Sequence, residues 1–211
     1  MRGNQTGRGA GRVWAAAVAL GAALCCGLVP AGARDDRAPR FSRSGELLFP
    51  KDYREWVYVT SGLGMTYGPG QPSPGRSPMF DNVFVTRTAY REFLRSGVWP
   101  EKTMLILEIR RSEEKVSINN GGRTQGDVAA VEAAVKDTRR FPEDGWGYFS
   151  FDKEGGLVDR ARPFPRTASC YGCHRNNGAV DNTFVQFYPT LFAAAREHGT
   201  VKPTYDPNRK P

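Results

Sequence analysis

Hydrophobic residues in this chain recur mostly at alternate positions, the spacing of half-buried strands. Trp56-Val57-Tyr58-Val59-Thr60 is rich in strand formers and predicts a first strand. Residues 80–86 alternate, with Phe80, Asn82 and Phe84 on one face and Asp81, Val83 and Val85 on the other. Residues 103–109 are apolar on both faces apart from their ends, the pattern of a strand covered on both sides. Residues 146–151 predict an aromatic strand. Residues 128–137 read two ways. Their alanines favour a helix, while Val131, Ala133 and Val135 alternate with Glu132 and Lys136 as in a strand.

Helical spacing is rarer. Thr88 opens a short helix with Tyr90, Phe93 and Leu94 on one stripe and Gly97 as its stop. Pro189 suits the first turn of a closing helix that runs to about His198, with Leu191, Phe192 and Ala195 facing inward. Turns fall at 119–122 and 141–145. Residues 62–78 are dense in Gly and Pro and predict a long loop, either a lid or partner surface or a tolerated surface insertion. The elements sum to an α+β fold, mainly antiparallel sheet with a few helices.

Composition changes the picture at the N-terminus. Arg2, Arg8 and Arg12 precede an apolar run over 13–28, and Ala31-Gly32-Ala33 forms a small-residue cleavage site. Residues 1–33 therefore predict a cleaved export signal, the apolar run being short for a membrane span, with a retained N-terminal anchor as the rival reading. Loss of the signal lowers the formal charge from +8 to +5, with 27 basic residues left against 22 acidic. Basic residues are scattered among acids, which suits solubility and an acidic redox partner protein. No basic block alternates with aromatics, so nucleic acid is not expected as a partner. Residues 34–44 predict a flexible leader, 45–198 the folded domain, and 199–211 a flexible tail.

Of the four cysteines, Cys25 and Cys26 leave with the signal. The other two stand in Cys170-Tyr171-Gly172-Cys173-His174. Two thiols two residues apart, with a histidine directly after the second, are the attachment pattern of c-type haem. Each thiol adds to one vinyl group, and the histidine supplies a proximal imidazole to the iron. The rivals are a Cys170–Cys173 redox disulfide and a zinc site built from Cys170, Cys173, His174 and His198. Neither fits as well. The chain shows no βαβ context for the first, and in the second adjacent residues would have to turn to one ion. An exported chain with both mature cysteines in this pentapeptide suits the bacterial periplasm and one covalent haem c per chain. On the other side of the iron, His198, Met65, Met79 and Met104 are candidate ligands, and a five-coordinate iron is the alternative favoured here.

With that motif late in a strand-rich chain, the sequence resembles the cytochrome P-460 family. The resemblance runs over about residues 44–196. It rests on Gly45 to Val57 (GELLFPKDYREWV), Tyr90-Arg91-Glu92-Phe93, residues 132–137 (EAAVKD), Arg140-Phe141, the pentapeptide, and Phe187-Tyr188-Pro189-Thr190-Leu191. It implies a mainly antiparallel β fold, a homodimer, a single proximal histidine, and a strand over 128–137. Founding members of the family oxidise hydroxylamine and carry an extra covalent bond from a lysine to the haem. The matching position here is Leu107, which has no amine. A distal arginine of those members matches Asp81, and their proton-transferring glutamate is matched by Glu132. The resemblance therefore implies Glu132 as the catalytic candidate, with nitric oxide or hydroxylamine as ligand. An ordinary surface or ion-paired glutamate on a strand is the alternative reading of that residue. The non-cross-linked cytochromes c-prime-beta share the fold and point to gas binding without turnover.

Overall fold

The computed structural model describes residues 39–66 and 77–208. The expected export signal and residues 67–76 of the Gly/Pro loop lie outside the described residues. No described helix is long and apolar enough to cross a membrane.

The fold is α+β. A two-residue strand β1 (Leu47–Leu48) is followed by a 3-10 turn at Tyr53–Glu55. Five longer strands then form one antiparallel sheet in sequential order: β2 (Val57–Leu63), β3 (Phe80–Val85), β4 (Met104–Glu113), β5 (Thr124–Lys136) and β6 (Trp146–Ser150). The short strands β7 (Asp152–Lys153) and β8 (Gly156–Leu157) pair as a hairpin, and β9 (Arg160–Ala161) pairs with β1. Helix α1 (Arg87–Ser96) links β3 to β4, while α2 (Ser169–Asn177) and α3 (Pro189–Glu197) follow the sheet.

Each strand side buries a different core. Met104, Ile106, Val131, Ala133, Val135, Phe149 and Phe151 face one side, where Leu47, Tyr53 and Trp56 cover them. Val83, Val85, Leu105, Trp146 and Tyr148 face the other, against α1, α2 and α3. Two covered faces explain why β4 is apolar at nearly every position. They also decide the ambiguous stretch. Val131, Ala133 and Val135 are all buried in one core, so β5 gains more from alternating burial than its alanines would gain from helix propensity.

Three expectations need correction. Helix α1 begins at Arg87 with Thr86 as its cap, because the Thr86 hydroxyl accepts from the Ala89 amide. Its buried residues are Ala89 and Phe93, whereas Leu94 is exposed. Gly97 does end the helix, in the left-handed conformation that glycine adopts without steric cost. In α3 Leu191 and Ala195 are buried, Ala194 is buried with them, and Phe192 packs half-buried against the same core and on Tyr205. The leader is ordered from residue 39. The Leu48 amide donates to the Arg40 carbonyl, and the Phe41 ring packs on Phe149 and under the Arg140 guanidinium. The tail is likewise tied down past residue 199, since the Lys202 amide donates to the Ala179 carbonyl and Tyr205 packs against the core.

Candidate haem site

The pentapeptide lies on α2. Residues 163–168 approach it through two prolines, and the Ala168 amide donates to the Pro165 carbonyl as the helix starts. Tyr171 is buried and anchors the helix. Its ring meets Tyr148 of β6 edge-on at 4.9 Å, and its hydroxyl donates to the Phe164 carbonyl at 3.1 Å. The Arg166 guanidinium covers that ring at 4.0 Å and pairs with Asp144. With Tyr171 fixed inward, Cys170, Cys173 and His174 all line one cavity of about 730 Å³ between α2 and the sheet. The two thiols are not joined to each other, and burial raises the Cys170 pKa.

His174 is held on three sides. Its ring is sandwiched between Tyr148, at 4.3 Å, and Phe184, at 4.4 Å. Its Nδ1 lies 2.9 Å from the carbonyl oxygen of Asn182, the partner that fixes the tautomer with Nδ1 protonated. Nε2 is thereby left as the nitrogen able to coordinate a metal. Burial lowers the His174 pKa, which favours the neutral imidazole a metal requires. The acceptor is itself braced. Asp181 and Asn182 adopt left-handed backbone conformations, which Asp and Asn tolerate best among residues with a side chain. Lys136 pairs with Asp181 at 2.5 Å, and Lys202 donates to the Asn182 side chain at 2.8 Å. Gly178 makes the approach possible, since a Cβ there would lie 2.7 Å from both the His174 carbonyl and the Thr183 amide.

The opposite wall comes from the sheet. Val83, Leu107 and Glu132 are consecutive cross-strand partners, and Asp81 lies two residues before Val83 on the same face. Asp81, Leu107 and Glu132 all line the cavity. Burial raises the Glu132 pKa, and the negative charges of Asp81 and Asp152 raise it further. Burial alone raises that of Asp81. Glu132 has no cation beside it among the described residues, so the ion-paired reading of it fails.

The residues suit a haem. Thiols one helical turn apart share a wall with an oriented neutral imidazole, and the volume falls within the range of cofactor pockets. The rival zinc set is not brought together. The His198 Nε2 lies 3.0 Å from the Leu94 carbonyl at the far end of α3, and no three described His, Cys, Asp or Glu residues cluster to hold a metal. Among the candidate sixth ligands, Met104 is buried in the other core and Met79 is outside the cavity wall. Met65 lines the cavity. Tyr148, Phe184, Gly178 and the Asn182 carbonyl were not legible as site residues. The only signals for them were an aromatic strand residue and a Gly/Asn-containing turn after the helix.

A pocket of this kind on a mainly antiparallel sheet has the donors and the volume to hold a haem. The chain matches the model of the cytochrome P460 family over residues 50–185. It belongs to that family. No curated protein matches it significantly.

Proposed function

We propose that the chain is an exported, periplasmic, mono-haem c-type cytochrome that binds or redox-processes small nitrogen species such as nitric oxide and hydroxylamine. The observation that carries this reading is the shared wall of Cys170, Cys173 and His174 in one cavity. The two thiols would hold the porphyrin through thioethers, and His174 would ligate iron through Nε2. Bound there, the haem supplies an iron able to take up a diatomic or hydroxylamine ligand and exchange electrons. Asn182 and the two aromatic rings orient the imidazole. Glu132 holds a proton at its carboxyl group longer than an ordinary glutamate, and is the group to give or accept it beside a nitrogen ligand. Leu107 lies where hydroxylamine-oxidising members have their lysine, which favours ligand binding over turnover. The homodimer implied by the family remains part of this proposal.

A second reading rests on Met65, the cavity-lining methionine. If its sulfur ligates iron, the protein is a six-coordinate electron carrier. Optical and electron paramagnetic resonance spectra of protein matured with a cytochrome c assembly system decide between them. High-spin ferric iron supports the first reading, and low-spin iron with a methionine charge-transfer band supports the second. Mass spectrometry of the peptide around residues 170–174 tests the shared premise, and a peptide without the mass of haem overturns both.

A further inference from the structure

We infer that the sheet-side wall of this cavity sorts ligands by charge: the carboxylates of Asp81 and Glu132 admit neutral and protonated nitrogen species and hold anions such as azide and nitrite away from the iron. The inference rests on the haem reading above and adds a ligand class to it.

Three observations carry it. First, the two carboxylates stand on either side of Leu107, on the same sheet face and in the same cavity as His174. The residue between them is apolar and supplies no compensating charge. Second, neither side chain makes an ion pair or hydrogen bond with another described residue. Both are half-buried, and carboxylates so placed are more often paired than not. Two unpaired ones facing a cavity direct their field into it. Third, the described lining residues include no Lys or Arg, and the only base among them is His174, whose Nδ1 is already committed. Among the described residues, the sheet-side wall therefore carries negative or zero charge at any state of protonation and never a positive one. The upward pKa shift that Asp81 imposes on Glu132 is consistent with both carboxylates acting on one enclosed space. An anion approaching the iron meets that same repulsion in a medium less polarisable than water. Nitric oxide is indifferent to it, and protonated hydroxylamine is attracted.

The test uses ferric holoprotein at neutral pH, titrated with azide as the anion and nitric oxide as the neutral ligand. Asp81→Asn and Glu132→Gln are each expected to tighten azide binding by up to about fifteenfold. That is the effect of one unit charge at about 10 Å with an effective dielectric constant of about 20. Nitric oxide affinity should move less than about threefold. Unchanged azide affinity overturns the inference, as does an equal shift for both ligands, which would mark a steric or hydrogen-bonding effect. Should one variant lose its haem, the other decides. Should both lose it, the wild-type azide association rate decides, because repulsion requires that rate to rise with salt and a flat or falling rate refutes it. Failure of the underlying haem reading would look different, since the wild-type protein would then show no haem absorbance to titrate.

Discussion

Glu108 is the most buried charged group of the sheet, 2% exposed, and its replacement has a calculable cost. Its carboxylate accepts from the Tyr53 hydroxyl, from Arg54 Nε at 2.8 Å and Nη2 at 2.7 Å, and from Asn82 Nδ2 at 3.2 Å. Burial opposes its ionisation, yet these donors outweigh burial and hold its pKa below the usual carboxylate range. The same pairing, with burial as the larger cause, pushes the Tyr53 hydroxyl up to about 12. Glu108→Gln keeps the volume but turns an amide group toward donors. The amide oxygen can still accept from Tyr53 and Arg54 at the Oε2 position, but the NH2 group then meets the Asn82 Nδ2 donor at the Oε1 position, a buried donor–donor contact that costs about 1–3 kcal/mol. The Arg54 side chain is 54% exposed and can rehydrate, so its lost pair adds only about 0.5–1 kcal/mol. The expected destabilisation is about 2–4 kcal/mol, or roughly 5–12 °C in Tm. Arg54→Gln should cost under about 1 kcal/mol by the same argument. Because the folded pKa of Glu108 is lowered, its contribution is fully present above the unfolded value near ~4.3 and is lost as pH falls through the folded value. Guanidinium melts of both variants from neutral to acid pH test this. The reasoning fails if Arg54→Gln costs as much as Glu108→Gln, or if the wild type and Glu108→Gln lose stability equally on acidification.

Two further substitutions address the site. Leu107→Lys places an ammonium between Glu132 and Asp81, which relieves the charge that raises the Glu132 pKa. If Leu107 is what prevents the family's lysine bond to haem, the variant treated with peroxide as the two-electron oxidant that such a bond requires should gain an altered haem spectrum that survives denaturation, and an unaltered denatured spectrum refutes this. Gly178→Ala forces the end of α2 away from the Asn182–Thr183 backbone, at a cost of about 1–3 kcal/mol. Stretching the contact from His174 Nδ1 to the Asn182 carbonyl should lower the iron–histidine stretching frequency in resonance Raman spectra and raise the reduction potential. Unmoved values would show that the carbonyl does not tune the imidazole.

Much of this arrangement could be read from the chain because its two periodicities are strong. The alternation in β3 assigned Asp81 and Val83 to one face and Asn82 to the other, as observed. The pentapeptide pointed to one chemistry, since few arrangements use thiols and imidazole at that spacing. What escaped were features that exist only through tertiary contact. The acceptor for His174 is a backbone carbonyl, which carries no residue signature. The order of residues 39–44 depends on Phe149 and Arg140, about a hundred positions away. Residues 128–137 illustrate the same limit from the other side. Their local composition favoured helix, and only the partner strands on each side settle the outcome.

Strand β4 shows why site and stability can change independently here. Leu107 and Glu108 are adjacent, yet the alternation of a strand sends them to opposite cores. Glu108 faces Tyr53, Arg54 and Asn82 and acts on stability. Leu107 lies in the cavity wall beside Glu132 and faces the space a ligand would enter. A substitution at 107 therefore leaves the hydrogen bonds at 108 in place. A change of chemistry in this pocket requires no new scaffold, only a different side chain on the cavity face of a strand whose other face remains locked.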